Sequence, residues 1–229
     1  MSTEREAMLG RIRQSLGTAV LPSARATIPP RSPSPTVDPA ALADSFAREV
    51  IVVAGHVHRP ATNTEAIEAV VGLLREAGGK EIIAWADEEL PLPGLGEALG
   101  SAGFTRLDPT LPSEPAVRRE RLADLARASA GLTGTLAGLA DTGSLVLLSG
   151  DCRPRLASLL PPVHIALLPI RALYPTMAAF FGAHPAAARS GSNLVFVTGP
   201  SRSGDIELTL TLGVHGPKTL HVVLLPVET

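Results

Sequence analysis

The sequence predicts an α/β protein, a three-layer α/β/α sandwich on a mostly parallel sheet, and three observations carry that expectation. Four short runs, "GSLVLLS", "VHIALLP", "NLVFVTG" and "LHVVLLP", are apolar, strand-like and bounded by turn residues. Segments with helical spacing precede them, so helix and strand signals alternate along the chain. The apolar runs are continuous rather than alternating, which suits strands covered on both faces.

The elements follow in order. Thr3 and Glu6 have capping-box spacing and Met8, Ile12 and Leu16 recur four apart, which predicts an amphipathic helix over residues 3 to 16. The stretch "GTAVLPSARATIPPRSPSPTVDPA" then carries Pro22, Pro29, Pro30, Pro33, Pro35 and Pro39, a density that excludes a regular helix or central strand and favours an extended tether. The expected division is therefore residues 1–37, a helix and proline-rich tether, and residues 38–229, a compact domain. A helix on a tether either docks on its own domain or reaches a neighbouring subunit.

Asp38 followed by Pro39 is an N-cap and first-turn pair that opens a helix through about Val50. Next come "TEAIEAVVGLLREAGG", helical and closed by Gly78 and Gly79, the strand-like "KEIIAWA", a short helix in "LGEALGSAG" and a longer one in "VRRERLADLARAS". In parallel sheets ligands sit beyond the carboxyl ends of the strands, which is the expected address of the polar loops here.

Composition narrows the function classes. Twenty basic and 22 acidic residues leave a net charge of −2, and aromatic residues make up 3% of the chain, so neither the charge footprint nor the stacking platforms of a nucleic-acid binder are present. Cys152 is the single cysteine, which excludes an intramolecular disulfide, a cysteine-ligated zinc site and a four-cysteine iron–sulfur cluster within this chain. The N-terminus is charged and no later segment reaches a membrane-spanning apolar length, so a cytoplasmic protein is expected.

Three polar loops hold the candidate chemistry. In "LADTGSLVLL", Asp141 can serve as a base, a nucleophile or an acceptor for a substrate hydroxyl, with Thr142 and Gly143 offering a donor and close backbone approach. As plain structure the same residues form a turn whose acid bonds its own backbone. In "VTGPSRSGDIE", Ser201, Arg202, Ser203 and free amides can converge on a carboxylate or phosphate, with Asp205 and Glu207 at the start of a helix capped by Ser203 or Gly204. The alternative is that the acids only complement a helix dipole and Arg202 pairs with Asp205. "IELTLTLGV" also alternates with period two, the pattern of a strand. In "GVHGPKTLHVVLL", His215 lies between two glycine-containing turns, where it can exchange a proton with a ligand or cap the preceding element.

Other signals are sparser. His56 and His58 in "GHVHRP" share one side of a strand, the spacing of a metal pair, but no third ligand is apparent and no metal is expected. Arg153 and Arg155 flank Cys152 closely enough to lower its pKa, although a lone cysteine is commonly inert.

"TGTLAGLADTGSLVLLSG", "RLASLLPPVHIALL" and "GPSRSGDIELTLTLGVHGPKTLHVVLL", in that order, resemble the recurrent blocks of the LUD domain family, specifically its lactate utilization protein C (LutC/YkgG) group. The resemblance covers residues 40 to 229 and is strongest over the last hundred. Two positions depart from the family's habit: Asp141 stands where glutamate is usual, and Gly204 where alanine is usual. The resemblance implies a NagB/RpiA/CoA-transferase-like fold and a helix at "DIELTLTLG", while the chemistry of the three loops themselves offers Asp141, Thr142, Gly143, Ser201, Arg202, Ser203, Asp205, Glu207 and His215 as candidate ligand contacts. It further implies a part in oxidising L-lactate to pyruvate alongside iron–sulfur partner proteins that hold the clusters, with no cofactor in this chain.

Two functional classes stay open at this stage. One is a non-redox subunit that binds a small carboxylate or phosphate, within a complex that can include further copies of itself. The other is a stand-alone enzyme, with Asp141 as its candidate catalytic residue, acting on a sugar phosphate or acyl-CoA. No nucleotide fingerprint, complete triad or metal constellation favours the second, and fold analogy alone does not carry function.

Overall fold

The computed structural model describes residues 2–18, 38–204, 210–212 and 215–226. The chain divides into two compact units, Met1–Pro35 and Thr36–Thr229. In the first, α1 (Ser2–Thr18) runs slightly beyond the expected helix at both ends, and Met8 and Ile12 are 59% and 46% exposed. Among the described residues no helix is long and apolar enough to cross a membrane.

The second unit opens with α2 (Pro39–Val52), capped as its sequence predicts: the Asp38 carboxylate accepts from the Ala40 amide and Pro39 occupies the first turn. The helix buries Ala43, Phe46, Ala47 and Val50, and the chain turns through Ala54 and Gly55 into β1 (His56–His58). Then α3 (Asn63–Glu76) starts where Thr62 accepts from the Glu65 amide while the Glu65 carboxylate accepts from the Ala61 amide, a reciprocal cap that settles two orphan donors. β2 (Glu81–Ala84), α4 (Leu95–Ser101), β3 (Thr105–Arg106), α5 (Pro115–Leu125) and β4 (Ala130–Gly134) follow.

β1, β2, β3 and β4, together with β7 (Val163–Pro169) and β12 (Thr219–Leu225), make a six-stranded sheet in the order β1-β12-β7-β4-β2-β3, in which all five pairings are parallel. Its longest ladder runs from Thr219 opposite Val163 to Leu225 opposite Pro169. One face carries Leu132, Ile165, Leu167, Val223 and Leu225 against Val70 and Leu74 of α3 and Leu95 and Leu99 of α4. The other carries Ala166, Leu168, Leu220, Val222 and Leu224 against Ala43, Phe46 and Val50 of α2. Each fully buried leucine or valine contributes roughly 1.5–3 kcal/mol of transfer free energy, so both layers are needed to hold the sheet.

The expectation of one sheet needs correction. β6 (Ser144–Ser149) and β9 (Asn193–Val197), which contain two of the four apolar runs, pair antiparallel in a separate four-stranded sheet of order β8-β5-β6-β9, with β5 (Ala137–Leu139) and β8 (Leu173–Tyr174). This second sheet shares the α2 face of the first through Leu145, and its outer face packs Val146 and Leu139 on Phe180 of α6 (Met177–Ala183). A continuous apolar run reports two covered faces but not the sheet that owns it.

A second correction concerns "SRSGDIELTLTLG". The loop residues offer Ser203 or Gly204 as a helix cap, and the resemblance implies a helix at "DIELTLTLG". Where this stretch is described, β10 (Arg202–Gly204) and β11 (Leu210–Leu212) pair antiparallel, Ser203 opposite Thr211, so Ser203 and Gly204 are strand residues and the strand pattern holds at Leu210 and Leu212. Asp205 and Glu207 lie outside the described residues.

Candidate functional site

The three polar loops meet at the C-terminal end of α2. Asp141, Thr142 and Gly143 form the tight connection between antiparallel β5 and β6. Gly143 is buried with φ +64°, and a Cβ there would lie 2.5 Å from the Val50 amide nitrogen. Only glycine accepts both that backbone angle and that approach.

Asp141 and Thr142 are exposed, and a file of side-chain oxygens runs inward from them. The Thr142 hydroxyl donates to Asp141 Oδ1 at 3.3 Å, stands 2.8 Å from Ser144 Oγ, and Ser144 Oγ is 2.7 Å from Thr198 Oγ1. Each hydroxyl has one hydrogen to donate. With Thr142 committed to the carboxylate, Ser144 donates to Thr142 and Thr198 to Ser144, so the file has a direction and ends on Asp141. Ser144 is 4% exposed, and the network satisfies its otherwise costly buried hydroxyl.

Thr198 starts the second loop. Gly199 has φ +85° and a Cβ on it would stand 2.8 Å from the Val53 carbonyl oxygen. That same oxygen accepts from Arg202 Nη2 at 2.7 Å. The last carbonyls of a helix lack intrahelical partners and its C-terminus is electronegative, so Arg202 serves α2 as a cationic C-terminal cap. The third loop is tied to the second: the Ser201 amide donates to the Pro217 carbonyl at 2.9 Å, and a Cβ on Gly216 would sit 3.2 Å from Ser201 Cβ. His215, exposed, precedes this contact by one residue.

The structure thus brings Asp141, Thr142, Gly143, Ser201, Arg202 and the chain beside His215 around one helix end, with Ser203 next to them in β10. The address differs from the one expected. Val53 leads into β1, Pro217 leads into β12, and the Lys218 amide donates to the carbonyl of Pro162, which leads into β7. The cluster therefore lies at the amino ends of the parallel strands, because two of its three loops belong to the antiparallel second sheet. A described cavity of about 330 Å³ lies elsewhere, lined by Arg75, Gly78, Gly79, Lys80, Ala102 and Phe104.

The remaining polar signals resolve differently. Cys152 is exposed with φ +62°, and desolvation together with Glu88, Glu89 and Asp151 pushes its thiol pKa up, not down as the neighbouring arginines suggest from sequence. Arg153 turns instead to Glu89, 3.7 Å away. His56 and His58 acquire a companion that sequence reasoning missed: His221 on β12, whose Nδ1 is 3.1 Å from His58 Nε2 and whose ring stacks on His56 at 4.8 Å between centroids. The signal available was only a histidine in each of two strand-like runs 163 positions apart. His164, fully buried on β7, meets Thr133 Oγ1 through Nε2 at 2.9 Å, and burial lowers its pKa to about 4.

A parallel six-stranded sheet carrying a second, mixed sheet on one face defines an α/β sandwich with its polar loops gathered at one helix end. The LUD domain model matches residues 43–225, and the chain belongs to the LUD domain family. It is 35% identical over 154 residues to lactate utilization protein C of Halalkalibacterium halodurans, covering 66% of this chain and 64% of that one. It is 33% identical to lactate utilization protein C of Shouchella clausii, covering 64% and 63%. The matched stretches thus span just under two thirds of these relatives. Among solved structures, a DUF162 family protein from Deinococcus radiodurans superimposes with a TM-score of 0.59 at 22% identity, covering 82% of this chain and 99% of that one, a likeness of fold.

Proposed function

We propose that this chain acts in lactate utilization as a subunit without a redox centre of its own, within a system whose iron–sulfur partner proteins oxidise L-lactate to pyruvate. In this reading the loops at the end of α2 bind the small carboxylate. The observation that carries it is that the Asp141–Gly143 turn, through Gly143, and Arg202 meet the same helix end, in a chain whose relatives are named for lactate utilization.

The chemistry suits an α-hydroxy acid. Such a ligand offers a hydroxyl that donates to a carboxylate and a carboxylate that accepts from a guanidinium. Asp141 accepts from Thr142 and keeps acceptor capacity, while Arg202 spends one donor on Val53 and retains others on an exposed side chain. A phosphate would meet Arg202 equally well but would be repelled by Asp141. A single cysteine cannot supply the thiolates of an iron–sulfur cluster, which fits a division of labour with cluster-bearing partners.

Thermal unfolding of the full chain with L-lactate, pyruvate, a sugar phosphate and an acyl-CoA tests the reading. A ligand that binds only the folded state raises the melting temperature by mass action. L-lactate or pyruvate should raise it in the parent protein and fail to do so in Asp141→Asn combined with Arg202→Gln. A rise with the sugar phosphate or acyl-CoA alone would replace the subunit reading with that of a stand-alone enzyme.

A further inference from the structure

β1 and β12 pair in parallel with His56 opposite His221 and His58 opposite Val223. Side chains alternate along a strand, so His56, His58 and His221 leave the sheet on one side, the α3 side, where Val223 and Leu225 also point. This is the face away from α2. His56 is exposed and its ring lies on that of His221, while His58 and His221 are half-buried and face each other through Nε2 and Nδ1 at 3.1 Å. Glu76, the last residue of α3, adds its negative charge beside His58.

Two imidazole nitrogens at 3.1 Å have two chemical readings: one carries hydrogen and donates to the other, or both present lone pairs to one cation. Zinc–nitrogen bonds of about 2.0–2.1 Å at a tetrahedral angle place two ligand nitrogens roughly 3.3 Å apart. The observed spacing is close to that edge.

We propose that His58 Nε2 and His221 Nδ1 are the anchoring ligands of a site for a divalent transition-metal ion of the zinc and cobalt class, completed by His56. Among the described residues no three such side chains are set to hold a metal as they stand. Completion therefore requires His56 to turn out of its stack, a rotation its exposure allows, and water or the Glu76 carboxylate takes the fourth position. The donating ring moves its hydrogen to its other nitrogen, so the pair changes tautomer without net proton loss. Imidazole nitrogens suit zinc and its transition-metal neighbours, whereas calcium and magnesium take oxygen ligands.

The test titrates the untagged, metal-stripped full chain with Co²⁺, followed by Zn²⁺ competition. The expected result is one Co²⁺ per chain with the strong visible absorption of a tetrahedral nitrogen-ligated ion, displaced by Zn²⁺. His58→Gln and His221→Gln should each weaken binding about tenfold or more, since even outer partners of a metal ligand carry that much. His184→Gln, remote on α6's boundary, should leave it unchanged, and far-ultraviolet circular dichroism shows that each variant is folded. Absence of saturable Co²⁺ binding, or binding that survives in the folded His58→Gln/His221→Gln double variant, would overturn the proposal.

Discussion

Arg202 and Val53, 149 positions apart, are joined by one hydrogen bond of 2.7 Å from guanidinium Nη2 to the carbonyl at the end of α2. The contact fixes the "GPSR" loop to the helix that Gly143 also touches, so helix stability and loop position share a residue. Arg202→Ala should lower the stability of the ligand-free protein by about 1 kcal/mol, the size of a charge-assisted cap on an exposed helix end. Urea unfolding measures it. Unchanged stability would mean that the capping bond contributes nothing in solution and that Arg202 is held for the ligand alone.

Gly143 and Gly199 are predicted to be the least tolerant loop positions. Each has positive φ, and each would drive a Cβ into backbone of the α2 end: Val50 N at 2.5 Å for Gly143, Val53 O at 2.8 Å for Gly199. Gly143→Ala and Gly199→Ala should each cost about 2 kcal/mol or more, adding steric displacement to the left-handed backbone penalty. Gly72, inside α3 with open space around it, is the control. Gly72→Ala should gain about 0.5–1 kcal/mol. A tolerated Gly143→Ala would show that the loop can retreat from α2.

These positions also mark what was legible in the sequence. The cap at Asp38 was readable because it depends on neighbours in the chain. β4 was not. "AGLTG" looks like a connector because Gly131 and Gly134 dilute its strand signal, yet they are glycine because Cβ atoms there would strike the Ala157 carbonyl and the Glu89 carbonyl. Tertiary crowding chose residues that hide the strand. For the same reason the three loops could be named from sequence while their meeting at the end of α2 could not, since Ser201 to Pro217 and Arg202 to Val53 are contacts that only the second sheet makes possible.

Acid should destabilise the protein through His164. Its folded pKa lies at about 4 because burial disfavours the charged ring, whereas the unfolded chain titrates near 6.5. Below that value the unfolded state binds the extra proton, so stability rises with pH and is lost as pH falls from about 6.5 towards 4, by up to about 3 kcal/mol. His221 is shifted in the same direction and adds to the slope. Urea unfolding between pH 4 and 7 gives the profile, and His164→Gln should flatten it. An unaltered slope in that variant would assign the acid sensitivity to other groups.

The hydroxyl file from Thr198 through Ser144 and Thr142 to Asp141 is predicted to act as one unit. Its members contact in sequence at 2.7, 2.8 and 3.3 Å, and with one hydrogen per hydroxyl each bond fixes the direction of the next. Removing the middle member takes one bond from the exposed hydroxyl on either side, where water replaces part of it, so Ser144→Ala should cost about 1–2 kcal/mol, the worth of two ordinary bonds. Thr198→Val should cost less alone, because it removes the end of the file and leaves Ser144 its contact with Thr142. Once Ser144 is alanine, the hydroxyl of Thr198 has no partner there to lose. The double variant should therefore fall short of the sum of the singles by about 0.5–1.5 kcal/mol in a double-mutant cycle. Asp141→Asn retains an acceptor for Thr142 while removing the charge, so it should change stability little and chiefly weaken the thermal response to L-lactate. Additivity of Ser144→Ala and Thr198→Val within about 0.3 kcal/mol would mean independent hydroxyls, and Asp141 would then be poised by its turn alone.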